Sequence, residues 1–221
     1  MLAKDLFSDV IPSLKTSDTG LDALNWMEVF RVSHLPIVNN KVFLGLITDL
    51  DIYDLNKADE PLGNHPISLM KPYVYHYQHI YEVVALASRL KLTVVPVLNE
   101  QMEYMGVISQ SELLHRMADL IAAHTPGGII ELELAHRDYS LSEIARIVED
   151  SDAKILSLYV MENQESNSLH VTIKLNRSDL RPVIHAFDRY GYKINASFTD
   201  HDVLDDTSVN NYDALMMYLN V

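Results

Sequence analysis

The sequence predicts an α+β protein: a duplicated unit of helices and short strands, followed by a part with a different element order. Three observations predict it. A proline-centred apolar block recurs at a spacing of about sixty residues. The cluster Thr125-Pro126-Gly127-Gly128 then breaks the pattern. Beyond it, segments of strand period and helix period alternate in a new order.

The duplication is read residue by residue. Leu35-Pro36-Ile37-Val38-Asn39 returns as Val95-Pro96-Val97-Leu98-Asn99, and Gly45-Leu46-Ile47-Thr48 returns as Gly106-Val107-Ile108-Ser109. Ahead of each block, Ala23, Leu24, Met27 and Phe30 match Val83, Val84, Ala87 and Leu90, at the three- and four-residue steps of one helix face. The first unit therefore reads as a helix over Leu21–Val32, strands over Pro36–Asn39 and Val42–Thr48 turned by Asn39-Asn40, and a helix from Asp49. The second reads as helix 81–91, strands 96–99 and 103–109, and helix 110–123. One such unit buries too little surface to stand alone, so the two are expected to pack sheet against sheet. Ala58–Ser68, with Pro61, Gly63 and Pro66, is the connection between them.

These residues resemble the CBS-domain family, whose members carry tandem pairs of β-α-β-β-α units. The marks are Ser17-Asp18-Thr19 before the first helix, Leu35-Pro36-Ile37-Val38, and Gly45-Leu46-Ile47-Thr48-Asp49-Leu50-Asp51, in that order and duplicated. The resemblance implies one unit over 1–60 and another over 61–124, with an adenosine-containing ligand (AMP, ADP, ATP or S-adenosylmethionine) in a cleft between them. It implies ligand contacts at Thr48 and Asp51, which match Gly-x-x-Thr-x-x-Asp, with Asp51 on the ribose hydroxyls. Thr16 and Leu35 belong to the same implied site, and Ser109 and Glu112 to its counterpart in the second unit.

A second reading competes at each pair. Ser or Thr followed three residues later by an acidic residue, at a helix start, is the pattern of a capping box. Ser109 and Glu112 fit that reading best, because Glu is longer than the Asp of the motif and would crowd a ribose. For Thr48 and Asp51, capping and ligand contact are compatible. Phosphate would need cations, for which Lys15, Arg31, His34, Lys91, His115 and Arg116 are the candidates. Lys15-Thr16-Ser17-Asp18-Thr19 becomes Tyr75-His76-Tyr77-Gln78-His79 in the second unit, so the second cleft either binds something different or, as aromatic side chains more often do, is filled by its own side chains. His76 and His79 lack a third ligand at a recognisable spacing, so no metal site is expected.

After the break the order is strand Ile129–Ala135, helix Ser140–Asp150, strands Ile155–Met161 and Leu169–Leu175, helix Asp179–Tyr190 and strand Tyr192–Phe198. Pro182 is tolerated in the first turn of its helix, and Gly191 ends that helix. This is βαββαβ, a ferredoxin-like plan. The segment 129–197 resembles ACT domains through Leu141-Ser142-Glu143-Ile144-Ala145-Arg146-Ile147, Ala153-Lys154-Ile155-Leu156-Ser157-Leu158 and Gly191-Tyr192-Lys193-Ile194. That resemblance implies dimerisation or an amino-acid-type effector. Arg137-Asp138-Tyr139-Ser140 stands where the family often has Pro-Gly, which favours dimerisation. Two CBS units and one ACT domain resemble the layout of the acetoin-utilisation CBS–ACT proteins. The tail, 198–221, ends in Tyr212, Leu215, Met216 and Leu219, spaced for a short helix.

Composition bounds the function. With 48% apolar and 22% charged residues the chain can bury a core, and it contains no cysteine, so thiol catalysis and disulfides are excluded. A net charge of −14, acidic in both halves, argues against nucleic acid and anionic membranes as partners. The opening Met1-Leu2-Ala3-Lys4-Asp5 does not have the pattern of a secretory signal, and a cytoplasmic location is expected. No P-loop or nucleophile–base motif is present. The expectation is therefore a non-catalytic regulator that binds an adenine nucleotide. It forms a homodimer and acts on a metabolic enzyme. The alternatives are a constitutive dimeric interaction module without ligand, or an effector sensor working through the ACT domain.

Overall fold

The computed structural model describes residues 1–55, 57–163 and 167–199. The chain forms two compact units, Met1–Arg116 and Met117–Val221.

In the first unit, helix α1 (Gly20–Phe30) begins because Thr19 and Asp22 satisfy each other's backbone N–H, a capping box, and it ends where Arg31 turns left-handed at φ 54°. Strands β1 (His34–Asn39) and β2 (Val42–Thr48) pair antiparallel, in register from His34 with Thr48 to Asn39 with Val42. The hairpin turns at Asn40 and Lys41, both at positive φ, one residue later than the sequence suggested. Helix α2 (Asp49–Tyr53) follows directly.

The second repeat copies this plan. Short β3 (Val74–Tyr75), which no apolar periodicity announced, runs parallel to β4 (Val94–Leu98), and β4 pairs antiparallel with β5 (Tyr104–Ser109). Helix α3 (Ile80–Leu90) ends at a left-handed Lys91, the counterpart of Arg31, and helix α4 spans Gln110–Leu120. Even the register shift recurs, at Ile37/Val38 and at Val97/Leu98.

The segment preceding each repeat pairs with the other repeat. Ser8 exchanges backbone hydrogen bonds with Val107 of β5, and Leu46 of β2 donates to Met70, just ahead of β3. This explains the duplicated glycine. At Gly45 and Gly106, φ is 150° and 155°, and an added Cβ would lie 2.7 Å from the carbonyl oxygen of Met70 or of Ser8. Equivalent residues also meet between the repeats: Ser33 N–H donates to Thr93 Oγ1 at 3.0 Å, and the rings of Phe43 and Tyr104 stack with centroids 6.5 Å apart. Such self-pairing is what a pseudo-two-fold arrangement requires. The core is aliphatic, with Leu14, Leu35, Leu46, Ile47, Ile80, Val83, Val94 and Ile108 almost completely buried.

In the second unit, β6 (Ile129–Ala135), α5 (Leu141–Glu149), β7 (Ile155–Asn163), β8 (Ser168–Leu175), α6 (Arg181–Arg189) and β9 (Lys193–Phe198) give an antiparallel sheet of order β7-β8-β6-β9. That is the ferredoxin-like βαββαβ arrangement. Ile144, Ile147 and Val148 of α5 and Val183 and Phe187 of α6 pack on Ile130, Leu132, Val171 and Ile173 of the sheet. Pro182 stands in the first turn of α6, and Gly191 follows that helix at φ 78°. This compact unit begins at Met117, inside α4, and the Leu120 and Ile121 carbonyls accept from the Tyr159 and Ser157 hydroxyls of β7. The expected terminal helix lies outside the described residues.

Candidate functional site

At the turn from β2 into α2, Thr48 has an extended backbone and Asp51 stands in the first helical turn. Thr48 Oγ1 accepts from Asp51 N–H at 3.0 Å, while Asp51 Oδ2 accepts from Thr48 N–H at 2.8 Å and from Thr48 Oγ1 at 2.7 Å. The capping box is complete. It uses one carboxylate oxygen, and Asp51 Oδ1 takes no hydrogen bond among the described residues.

Asp51 lines a cleft of about 280 Å³. Its other walls are Asp54 and Leu55, just past α2, and His65–Ser68 of the connection. No Lys or Arg is among these residues. His65 Nε2 is buried and has no hydrogen-bond partner among the described residues. The sequence offered no reason to single out His65 or Asp54, since neither falls in the duplicated motif.

His34, at the start of β1, sits beside these carboxylates. Burial lowers its pKa from the usual imidazole value, against the opposing charges of Asp49 and Asp51. Its Nδ1 lies 3.0 Å from Thr93 Oγ1 and accepts from Thr93 N–H at 3.4 Å. An accepting Nδ1 places the proton of neutral imidazole on Nε2.

The other residues named from the sequence fall elsewhere. Thr16 is fixed at the far end of β1. Asn39 Nδ2 donates to its hydroxyl at 2.9 Å, its N–H donates to Asn39 Oδ1 at 3.3 Å, and Gly63 N–H donates to its carbonyl. His34, opposite Thr48, and Asn39 are separated by five strand steps, about 16 Å. Leu35 is fully buried, opposite Ile47. Ser109 Oγ accepts from Glu112 N–H at 3.1 Å, but Glu112 Oε1 accepts from Arg116 Nε at 2.7 Å instead of closing the box. Half of the expected cap is formed there.

Of the cations proposed for phosphate, Arg31 lines a separate groove of about 580 Å³ along α1, with Ser33, Asp49 and Tyr53. In the second repeat the tyrosines stack on one another, Tyr75 on Tyr77 with centroids 5.3 Å apart and Tyr73 edge-on to Tyr75 at 5.4 Å. His79 caps α3, accepting from Tyr81 N–H while Glu82 accepts from His79 N–H. No group of three or more His, Asp or Glu side chains among the described residues could hold a metal ion.

In the second unit the turn from β6 to α5 and the turn into β9 line a cavity of about 480 Å³. Its ionisable groups are paired: Lys193 bonds Glu133, and Tyr192 hydroxyl donates to Glu143 Oε2 at 3.1 Å. Burial, then that bond, push the Tyr192 pKa up to about 12. Engaging Tyr192 leaves Ser140 and Glu143 with half a capping box, as Ser109 and Glu112 have.

The fold and cleft define an α+β molecule with an internally duplicated cleft-bearing unit and a ferredoxin-like second unit. No family model matches the chain. Solved structures similar to it include a CBS domain pair/ACT domain protein from Thermotoga maritima, 22% identical over 54% of this chain and 98% of that one, with a TM-score of 0.48. CBSX2 in complex with AMP is 15% identical over 53% and 96%, with a TM-score of 0.47. The CBS domain of a bacterial CNNM/CorC family Mg2+ transporter in complex with ATP is 13% identical over 53% and 87%, with a TM-score of 0.43. Among the described residues, no helix is long and apolar enough to cross a membrane.

Proposed function

We propose that the chain is a non-catalytic regulatory module whose first unit holds an adenosine-containing ligand beside Asp51. The observation that carries this reading is the division of labour on one carboxylate. Oδ2 closes the helix cap, and Oδ1 is left to accept hydroxyl hydrogen bonds on the wall of the cleft. A ribose offers two adjacent hydroxyls of the required kind. The capping and ligand roles of Asp51 are thus compatible. The module acts in the cytoplasm, and the ligand exerts its effect by favouring one state of a homodimer or of a bound metabolic enzyme.

The test is thermal melting with adenosine, AMP, ADP, ATP and S-adenosylmethionine; AMP and ATP, named for two of the similar structures, come first. A ligand at one hundred times its dissociation constant adds about 2.7 kcal/mol and raises the midpoint by a few degrees. The shift is expected in the native chain and absent in Asp51→Asn. An equal shift in that variant removes Asp51 from the site, and no shift with any ligand returns the cleft to a structural role.

A second reading, an amino-acid-type effector in the second unit, is favoured by the 480 Å³ cavity at the β6–α5 turn. Its residues are already bonded to one another, so an effector would have to displace the Tyr192–Glu143 or Lys193–Glu133 pair. Melting with a panel of amino acids separates the two readings.

A further inference from the structure

We propose that His65 reads the nucleoside portion of the ligand in the Asp51 cleft, so that the phosphates of a bound nucleotide project out of it. The inference rests on the adenosine-cleft reading and adds a residue that the duplicated motif does not contain. His65 is held in place by its backbone. A 3-10 turn over Leu62–Asn64 is anchored to the first repeat by Leu62 N–H on Asp18 O and Gly63 N–H on Thr16 O, each at 2.8 Å. His65 N–H closes that turn on Leu62 O, and its carbonyl accepts from Ile67 N–H.

On this fixed backbone, His65 lines the cleft with Asp51 and Asp54, and its Nε2 is buried behind that wall with no hydrogen-bond partner among the described residues. A buried polar atom left unpaired costs free energy, which a ligand bonded to it recovers. Among its described lining residues the same cleft carries two carboxylates and no Lys or Arg, so it repels phosphate and accepts neutral polar groups. At about 280 Å³ it lies just below the range of whole small-molecule pockets and suits a sugar with part of a base. Asp51 Oδ1 then takes the ribose hydroxyls, and a turn of the His65 ring brings Nε2 out of the wall to bond the sugar or base edge.

The experiment is calorimetric titration of the full-length chain with adenosine, AMP and ATP, for the native protein, His65→Ala and His65→Gln. His65→Ala is expected to weaken all three ligands by the same factor, about 3- to 10-fold, the effect of one hydrogen bond. His65→Gln, which keeps an amide nitrogen near the Nε2 position, stays within about twofold of the native chain. Because Nε2 has no hydrogen-bond partner among the described residues, neither variant is expected to lower the melting temperature of the free protein. Unchanged affinity in His65→Ala overturns the role of His65 and leaves the Asp51 site standing. A loss that grows with phosphate number overturns the orientation, and a lowered melting temperature of the free variants makes His65 structural. A native chain that binds none of the three overturns both this inference and the reading beneath it.

Discussion

In the first repeat the turn into α2 is closed by Thr48 and Asp51 on each other. The equivalent turn into α4 has only the Ser109 half of the cap, with Glu112 bonded forward to Arg116. The two turns descend from one sequence pattern and sit on matching hairpins. One methylene separates their chemistry. The short Asp side chain reaches only its own cap and the adjoining cleft, whereas Glu extends to a cation one helical turn along. The segments ahead of the helices differ in the same sense: Thr16 is braced by Asn39, where the second repeat has stacked tyrosines. Duplication has kept the scaffold and released these residues to differ, so the ligand role proposed above is assigned to the first repeat.

Four experiments bear on this comparison. The largest effect belongs to the shared scaffold. Leu35→Ala, at a completely buried position, is expected to cost about 2–5 kcal/mol in urea unfolding. Its counterpart Val95→Ala removes less volume and costs less. A negligible cost for Leu35→Ala would mean that its side chain is not the core residue described above.

Next come the paired glycines. Gly45→Ala and Gly106→Ala each force a Cβ against a backbone carbonyl at unfavourable φ, for about 2–3 kcal/mol apiece. If the repeats are mechanically equivalent, the two losses agree to within about 1 kcal/mol in denaturant melts. A large inequality breaks the symmetry of the swapped segments.

The caps give a smaller effect and the sharper contrast. Thr48→Ala and Ser109→Ala should each lose about 1 kcal/mol. Glu112→Gln should leave nucleotide affinity unchanged, while Asp51→Asn abolishes it. A Glu112→Gln variant that loses affinity would place a second ligand in the other repeat.

The smallest effect is a pH dependence confined to the first repeat, since the position of His34 is Val94 in the second. The folded state depresses the pKa of His34 mainly by burial, so the unfolded chain binds its proton more readily. This group therefore contributes full stability above the ordinary imidazole value, about 6.5, and loses it as the pH falls toward the lower folded value. His34→Val should lose less stability than the native protein between about pH 7 and pH 5. Equal losses would show that Asp49 and Asp51 offset the burial of the ring.

The sequence by itself determined what short-range periodicity can encode. The strands, the helix faces of Ala23 and Met27 and of Val83 and Ala87, the βαββαβ order and the position of Pro182 at a helix start all follow from steps of two, three or four residues. The pairing of Thr48 with Asp51 was legible for the same reason. Tertiary structure alone decided the rest. Two-residue β3 is too short to carry a period, and it exists because β4 supplies its hydrogen bonds. The separation of Thr16 from Thr48 follows from the strand between them, and the need for Gly45 follows from Met70, some twenty-five residues further along the chain. His65 stands out only once the fold buries its ring nitrogen beside Asp51. Hydrogen bonding within a helical turn is written in neighbouring residues, whereas burial and long-range approach depend on where the whole chain returns.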